Sequence, residues 1–130
     1  MAQFKIHGYR SVLADRRALM SATIHASATA VLGLPADKRA HRFLLLDDED
    51  FLAPGGRTVD YTIIEILMFA GRTVATKKAL YRDLYDRFER DLGISPVDLE
   101  IIVIETPQHD WGIRGLPGDE LTDLTYRIDL

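Results

Sequence analysis

The chain has 130 residues, of which 47% are hydrophobic and 28% are charged. This length and composition are typical of one folded domain and exclude an intrinsically disordered chain. The 16 basic and 20 acidic residues give a net charge of -4 and a pI near 5.5. A nucleic-acid partner is therefore not expected, because nucleic-acid-binding surfaces concentrate Lys and Arg. The chain has no cysteine, which excludes disulfides, thiolate metal sites and cysteine nucleophiles.

The N-terminal segment, 1–7, shows no basic region followed by an apolar run, so we expect no signal peptide. The longest nearly apolar run, 61–70, contains Glu65 and is too short to cross a bilayer. We therefore expect a cytoplasmic protein without a membrane partner.

The first half of the chain predicts a strand, a helix and a second strand. Residues Gln3–His7 alternate apolar and polar, which indicates a short half-buried strand. From Arg16 onward, apolar residues recur at the spacing of an amphipathic helix, and Gly33 is predicted to end it. Phe43–Leu46 is predicted to be a buried strand, and the acidic run Asp47–Asp50 follows it.

The second half repeats this order. Tyr61–Phe69 is the longest predicted strand, and Asp98–Ile104 is the last one. Between them, Thr73 is the predicted N-cap of a helix that ends at Gly93. The apolar stripe of this helix has helical spacing and consists of Val74, Leu80, Tyr81, Leu84, Phe88 and Leu92.

The two halves match at an offset of 60 residues, as where Phe4–Ile6 aligns with Ile64–Ile66. A helix that connects two strands of one sheet implies that those strands are parallel and that the crossover is right-handed. We therefore predict an α/β (α+β) fold, in which duplicated β-α-β units form a four-stranded mixed sheet with both helices on one face. The predicted single domain covers 1–130, with an internal repeat of about 1–58 and 59–118 and a C-terminal tail, 119–130.

The sheet face opposite the helices also needs a cover, because 63–69 and 101–104 are apolar on consecutive residues. Oligomerisation through that face would supply the cover, and a strand that is buried only locally is the alternative. Residues Leu124–Asp129 alternate apolar and polar. This pattern predicts an extra edge strand, either in the same sheet or paired across subunits.

Three motif segments follow one another along the chain, at the end of the first helix, at the start of the second, and around the last strand. The segments are Leu32–Arg39, then Ala70–Thr73 with Lys77 and Lys78, and then Gly93–Asp98 with Ile104, Glu105 and His109–Trp111. In this order they resemble the tautomerase superfamily, the group of 4-oxalocrotonate tautomerase and macrophage migration inhibitory factor, and most closely its malonate semialdehyde decarboxylase branch. The similarity spans nearly the whole chain.

The resemblance implies a homotrimer whose pocket lies at the start of the first strand and takes small oxo acids. It implies no cofactor. The catalytic group of the family is an N-terminal proline, exposed when the initiator methionine is removed. Its secondary amine acts as a general base or acid in keto–enol conversion, decarboxylation or hydration.

Ala2 stands where the family has this proline. Removal of Met1 would give Ala2 a primary amine, with an ordinary pKa of about 8. Burial in an apolar pocket would lower that pKa toward the range of a general base, and a primary amine can also form an imine with a carbonyl substrate. Ala2 is thus a candidate catalytic residue of altered chemistry.

Arg72 matches the carboxylate-binding arginine of the family and is the second candidate catalytic residue. A guanidinium at a strand end can hold a carboxylate through two hydrogen bonds and can stabilise an enolate. The alternative is a surface arginine near a helix start, where it gains nothing from the helix dipole. Ala70 stands where the decarboxylases can carry a second arginine.

Three further residues are candidates for substrate binding: Asp37, Trp111 and Ile113. Asp37 lies near the acidic residue of the family, although an ungapped match places Lys38 at that position, and a solvated turn residue is the alternative. Trp111 matches the pocket tryptophan, with a core or interface anchor as the alternative. Ile113 stands where the family usually has an aromatic residue.

No metal site is predicted from the sequence. The histidines His7, His25, His41 and His109 lack the spacing of metal ligands and are predicted to be structural or exposed. The run Asp47–Asp50 lacks the glycine and ligand spacing of a calcium loop.

Three functions compete. The first is a weak tautomerase or decarboxylase of small oxo acids, with the substrate carboxylate held by Arg72. The second is a non-catalytic trimeric protein on the same scaffold that binds a small molecule or has a structural role. The third, a ferredoxin-like regulatory module, is disfavoured because such modules pair their strands antiparallel, unlike the predicted repeat.

Overall fold

A computed structural model describes residues 2–129 of the chain. Within each half, a parallel pair of strands forms, β1 with β2 and β3 with β4, and β1 meets β3 antiparallel at the centre, so the order is β2-β1-β3-β4. This is the mixed sheet of two β-α-β units that the sequence predicts. The strands are β1 (Ala2–Tyr9), β2 (Ala40–Leu46), β3 (Thr62–Phe69) and β4 (Leu99–Thr106).

The first crossover is less regular than predicted. A single turn, α1 (Arg10–Leu13), and a 3-10 turn precede α2 (Arg17–Ser27), which continues as the π-helix Ala28–Leu32. Leu13 lies so close to β1 that a Cβ on Gly8 would come within 2.9 Å of its side chain. The chain therefore folds back against the sheet immediately after β1. The helical pattern that begins at Arg16 did not predict this early turn.

The second crossover helix, α3 (Val74–Leu92), confirms both predicted ends. The Thr73 hydroxyl accepts a hydrogen bond from the backbone N–H of Thr76 at 3.1 Å, as an N-cap does. Gly93 has φ of 67°, the left-handed conformation that commonly ends helices. Among residues 2–129, none of the helices combines the length and apolar character that a membrane crossing requires.

The core lies between the two long helices and one face of the sheet. Alternate residues of the central strands, such as Phe4 and Ile66, are fully buried there, as the period of a strand requires. Ser27 of α2 donates a hydrogen bond to the Asp83 carboxylate of α3 at 2.7 Å. The helices contribute Met20, Ile24, Leu80, Leu84 and Phe88 to this core.

Within residues 2–129, the opposite face of the sheet carries no helix. Lys5 and Glu65 form an ion pair there at 3.3 Å, while Ile102 and Ile104 on the edge strand β4 are 48% and 40% exposed. Exposed apolar residues on one sheet face are typical of an interface. Oligomerisation through this face therefore stays a prediction.

After β4 the chain forms a small antiparallel hairpin of β5 (Gly112–Ile113) and β6 (Leu116–Pro117). The edge strand predicted for Leu124–Asp129 is wrong for the chain by itself, because no strand forms between residues 121 and 129. The alternation of apolar and polar residues nevertheless matches their burial. Leu124, Tyr126 and Ile128 are half-buried, and the residues between them are exposed. The tail packs one side against the domain without joining the sheet.

Candidate functional site

One end of the sheet gathers most of the predicted site residues. The strand register places Ala2, Met68 and Glu105 in one row across β1, β3 and β4, and neighbouring strands lie about 4.8 Å apart. Arg72 follows the end of β3, and Trp111 follows the end of β4. Both therefore lie at the end of the sheet where β1 begins.

Ala2 begins β1 and is 1% exposed. Its side chain belongs to the hydrophobic core together with that of Met68. An amine at this position, which Ala2 carries only after removal of Met1, would be poorly solvated. Burial of this kind lowers the pKa of an amine.

Arg72 has free hydrogen-bonding capacity inside the protein. The residue is 4% exposed, and Nη1 donates to the backbone carbonyl of Phe69 at 3.3 Å. Its Nε and Nη2 atoms are buried and have no hydrogen-bond partner within residues 2–129. These two nitrogens form one edge of the guanidinium, the edge on which the two oxygens of a carboxylate can bind together.

The surroundings leave the Arg72 charge poorly compensated. Burial lowers the pKa of Arg72, and the Tyr126 phenol and the Glu105 carboxylate act in the opposite direction. Glu105 is itself held in an ion pair by Lys77 on the first turn of α3. A buried, incompletely paired cation favours the binding of an anion.

Trp111 is connected to Arg72 through Phe69. The indole Nε1 donates to the hydroxyl of Thr106, and its ring meets Phe69 edge-on, with centroids 5.2 Å apart. Phe69 is the residue whose carbonyl accepts from Arg72. The indole is thus oriented and half-buried, and it packs against the residue whose carbonyl holds Arg72.

The other two predicted residues are placed differently from each other. Ile113 and Lys38 line a small cavity of about 10 Å³ together with Tyr126. Asp37 is exposed and does not line it. Of these two neighbouring residues, Lys38 and not Asp37 therefore lies beside this cavity.

Sequence reasoning missed two residues at this site, Arg114 and Tyr126. Arg114 has φ of 52°, and its Nη2 donates to Asp123 in the tail at 2.7 Å. Tyr126 packs against the hydrophobic core. Burial raises its pKa, and the guanidinium groups of Arg72 and Arg114 act to lower it. The apolar alternation of the tail was the signal that could have found Tyr126.

Two histidines on the helix side of the sheet were also missed as a pair. His41 Nδ1 lies 2.7 Å from the Ser21 hydroxyl, and the His25 and His41 rings are 6.3 Å apart. Nε2 of His41 has no hydrogen-bond partner within the described chain. Burial and the nearby Arg39 lower both pKa values, that of His41 to about 4, while the backbone of Pro35 and Ala36 acts to raise the pKa of His25.

Two further features lie away from Arg72. The carboxylates of Asp47, Glu49 and Asp50 approach within 4.8 Å of one another but are exposed, and exposed acidic groups often cluster without an ion. A wide concavity of about 720 Å³ opens between Tyr9 and the loop 51–59. It lies at the opposite end of β1 and contains none of the predicted residues.

Comparison with known proteins bears on this site. The family described as "Tautomerase enzyme" matches residues 38–114, which is more than half of the chain. A malonate semialdehyde decarboxylase structure is 21% identical, with 92% of this chain and 99% of that chain covered and a TM-score of 0.80.

Two other solved structures are also similar. Native fused 4-OT is 20% identical over 92% of this chain and 98% of that one, with a TM-score of 0.79. N1, a member of the cis-3-chloroacrylic acid dehalogenase family, is 19% identical over 91% of this chain and 87% of that one, with a TM-score of 0.76. At these identities the likeness shows a common fold.

Proposed function

The chain belongs to the tautomerase family, and on that premise we propose that it binds small oxo acids through Arg72 and acts on them as a weak tautomerase or decarboxylase. The observation that carries this proposal is the buried edge of Arg72, where Nε and Nη2 lack partners within residues 2–129. A carboxylate would satisfy both donors at once and would neutralise the charge.

The energetic cost of leaving two Arg72 nitrogens without hydrogen-bond partners supports the binding of a ligand there. A buried polar group without a partner costs about 1–3 kcal/mol, and more when it is charged. Arg72 has two such nitrogens, while Nη1 is held by the Phe69 carbonyl. This third contact fixes the orientation of the guanidinium, so a bound carboxylate would be held in one direction.

The neighbours of Arg72 support the chemistry of an oxo acid. A guanidinium beside the carboxylate also stabilises the negative charge that develops on an enolate. Trp111 offers a flat apolar surface for a planar enol, and Ile113 lines the adjacent cavity with Lys38. We keep Asp37 as a proposed substrate-binding residue on the resemblance alone, since it is exposed.

The proposed assembly is a homotrimer. Solved structures similar to this chain include fused 4-OT described as an asymmetric trimer and as a symmetric trimer. The helix-free face of the sheet, with Ile102 and Ile104 exposed, is a surface that subunit contacts would cover. Light scattering that gives the mass of a monomer would reject this assembly.

The test of the site uses the single tryptophan of the chain as a reporter. Phenylpyruvate, a stable oxo acid, is titrated while Trp111 fluorescence is recorded. We expect Arg72→Ala to weaken binding at least about 10-fold, the loss expected for a charge-assisted hydrogen bond of 1.4 kcal/mol or more. Arg72→Lys should recover little, because an ammonium lacks the two-nitrogen edge.

The matched control is Arg82→Ala, which removes an exposed arginine from α3. This variant should bind as the unaltered protein does. Equal binding by Arg72→Ala and Arg82→Ala would reject Arg72 as the carboxylate site.

The second candidate function is a binding protein without catalysis, and Ala2 is the observation that favours it. If oxo acids bind in an Arg72-dependent way but phenylenolpyruvate is not turned over at any pH, this candidate is correct. The variant Ala2→Pro, with Met1 removed as verified by intact mass, should then gain tautomerase activity. A lack of gain would show that the pocket itself differs from that of the family.

A further inference from the structure

The C-terminal tail crosses directly over the residue that precedes Arg72. A Cβ atom on Gly71 would lie 2.7 Å from the backbone oxygen of Ile128, so the two backbones are in close contact. Tyr126 is two residues earlier in the tail and packs against the core. The tail is thereby a wall of the Arg72 site.

Tyr126 interacts with two guanidinium groups. Its phenol interacts electrostatically with those of Arg72 and Arg114, and Tyr126 and Arg114 line the same small cavity. Arg114 is anchored to the same tail through Asp123. The Tyr126 hydroxyl makes no hydrogen bond to any residue in the described part of the chain, 2–129, so it is free to contact a ligand.

The other titratable groups near Arg72 are less suited to proton transfer. Glu105 is ion-paired with Lys77, and Ala2 offers an amine only if Met1 is removed. Lys38 lines the cavity but has no hydroxyl. Among these groups only Tyr126 has a hydroxyl, and its phenol interacts electrostatically with Arg72.

We propose that Tyr126 transfers the proton in the Arg72 site, in the role that the N-terminal proline has elsewhere in the family. This inference rests on the proposed function, since it needs an oxo acid bound at Arg72. The substrate class is a 2-oxo acid with an enolisable carbon next to its carbonyl group.

The step balances without a co-reactant other than water. In ketonisation the Tyr126 O–H bond breaks, and its proton forms the new C–H bond at the enol carbon. The enol O–H bond breaks as its proton passes to water, and the C=O bond forms. The resulting phenolate faces Arg72 and Arg114, which stabilise its charge, and it recovers a proton from solvent. The reverse sequence forms the enol.

The cavity that Tyr126 lines with Lys38 and Ile113 has a volume of about 10 Å³, which is room for about one water molecule and not for an oxo acid. An oxo acid that contacts the Tyr126 hydroxyl from this cavity would therefore need the tail to move outward.

The test compares Tyr126→Phe with Tyr81→Phe, which removes a hydroxyl from a half-buried tyrosine of α3. For phenylenolpyruvate ketonisation, Tyr126→Phe should lower kcat by about 100-fold or more, as expected for loss of a general acid. Phenylpyruvate binding, measured by Trp111 fluorescence, should change less than about 2-fold, because Arg72 is intact. Tyr81→Phe should leave both unchanged.

The pH profile separates proton transfer from a structural role. The unaltered protein should lose kcat at high pH as the phenol ionises, and site-specific 3-fluorotyrosine at position 126, a more acidic phenol, should move this loss to lower pH. An unshifted profile, an unchanged kcat in Tyr126→Phe, or no turnover by the unaltered protein would overturn the role of Tyr126. The proposed site fails separately, if Arg72→Ala still binds phenylpyruvate normally.

Discussion

Gly71 and Ile128 are in backbone contact, and no side chain fits between them. A Cβ on Gly71 would lie 2.7 Å from the Ile128 oxygen, and Gly71 has φ of 138°, a conformation that residues with side chains rarely adopt. Since Arg72 follows directly, this contact fixes the tail against the site. The close contact between the tail and the residue before Arg72 therefore requires glycine at position 71.

Gly71→Ala should displace the tail. The steric contact and the backbone strain together are expected to cost about 1–3 kcal/mol of stability. Detachment of residues 121–129 from the domain would remove the steric contact with the smallest change to the rest of the fold. Trypsin should then cleave at Arg127 faster than in the unaltered protein, as intact mass would show over time. Gly55→Ala is the control, because a Cβ there meets nothing within 4 Å. Equal tail cleavage in both variants would contradict the contact.

Gly118→Ala should disturb the packing of Trp111. A Cβ on Gly118 would lie 2.3 Å from the Gln108 oxygen and 3.0 Å from the Trp111 Cβ, and the Gly118 N–H donates to the Trp111 carbonyl at 2.7 Å. We expect a shift of the Trp111 emission maximum and a loss of about 1–3 kcal/mol of stability, as for other overpacked positions.

The control for this variant lies in the same hairpin. Gly112→Ala adds a Cβ that meets nothing within 4 Å, so its emission spectrum and urea midpoint should match those of the unaltered protein. If Gly118→Ala gives the same spectrum as Gly112→Ala, the packing of Trp111 against Gly118 is refuted.

Local signals made much of the fold predictable. The helix α3 has an N-cap at Thr73 and a left-handed end at Gly93, and both act through atoms of adjacent residues. The path of the tail could not be predicted in this way. The alternation of apolar and polar residues around Tyr126 indicates which side of the segment is buried, but it does not indicate which element packs against that side. A segment forms a strand only when it pairs with another strand, and the sequence does not indicate which strand the tail would pair with.

The candidate site was predictable only in part, for a similar reason. Arg72 was found because it follows a strand end in a recognisable motif. Arg114 and Tyr126 were not found, because Arg114 lies in the turn of a hairpin and Tyr126 lies in a tail without regular structure. The pair His25 and His41 comes together through α2 and β2, and no sequence spacing indicates that contact.

Asp98→Ala should loosen the loop that precedes β3. The Asp98 carboxylate is buried and accepts hydrogen bonds from the Thr58 backbone N–H at 2.8 Å and from the Thr58 hydroxyl at 2.6 Å. Loss of two charge-assisted hydrogen bonds, with their donors left unpaired, should cost about 2–4 kcal/mol. Urea unfolding measures this, with Asp86→Ala, an exposed acid on α3, as the control. Equal midpoints would show that this contact contributes nothing to stability.

The buried histidines should make the protein less stable as the pH falls below neutrality. Burial, Arg39 and His25 lower the pKa of His41 from 6.5 to about 4 in the folded chain. Between pH 6.5 and 4 the unfolded chain therefore binds a proton that the folded chain does not, so stability is full above pH 6.5 and is lost progressively toward pH 4. The groups that face His41 are the Ser21 hydroxyl, the Phe4 ring, His25 and Arg39, and none of them is an acid that would favour the charged ring.

The variant His41→Gln should flatten this pH dependence. The quantity to compare is the slope of Tm against pH between 6.5 and 4.5, because this slope does not depend on a change in absolute stability that the substitution itself causes. His109→Gln, which removes an imidazole that is 67% exposed, should keep the slope of the unaltered protein. If His41→Gln keeps that slope as well, protonation of His41 does not control acid stability, and the pairing with His25 near Arg39 has no energetic consequence in this range.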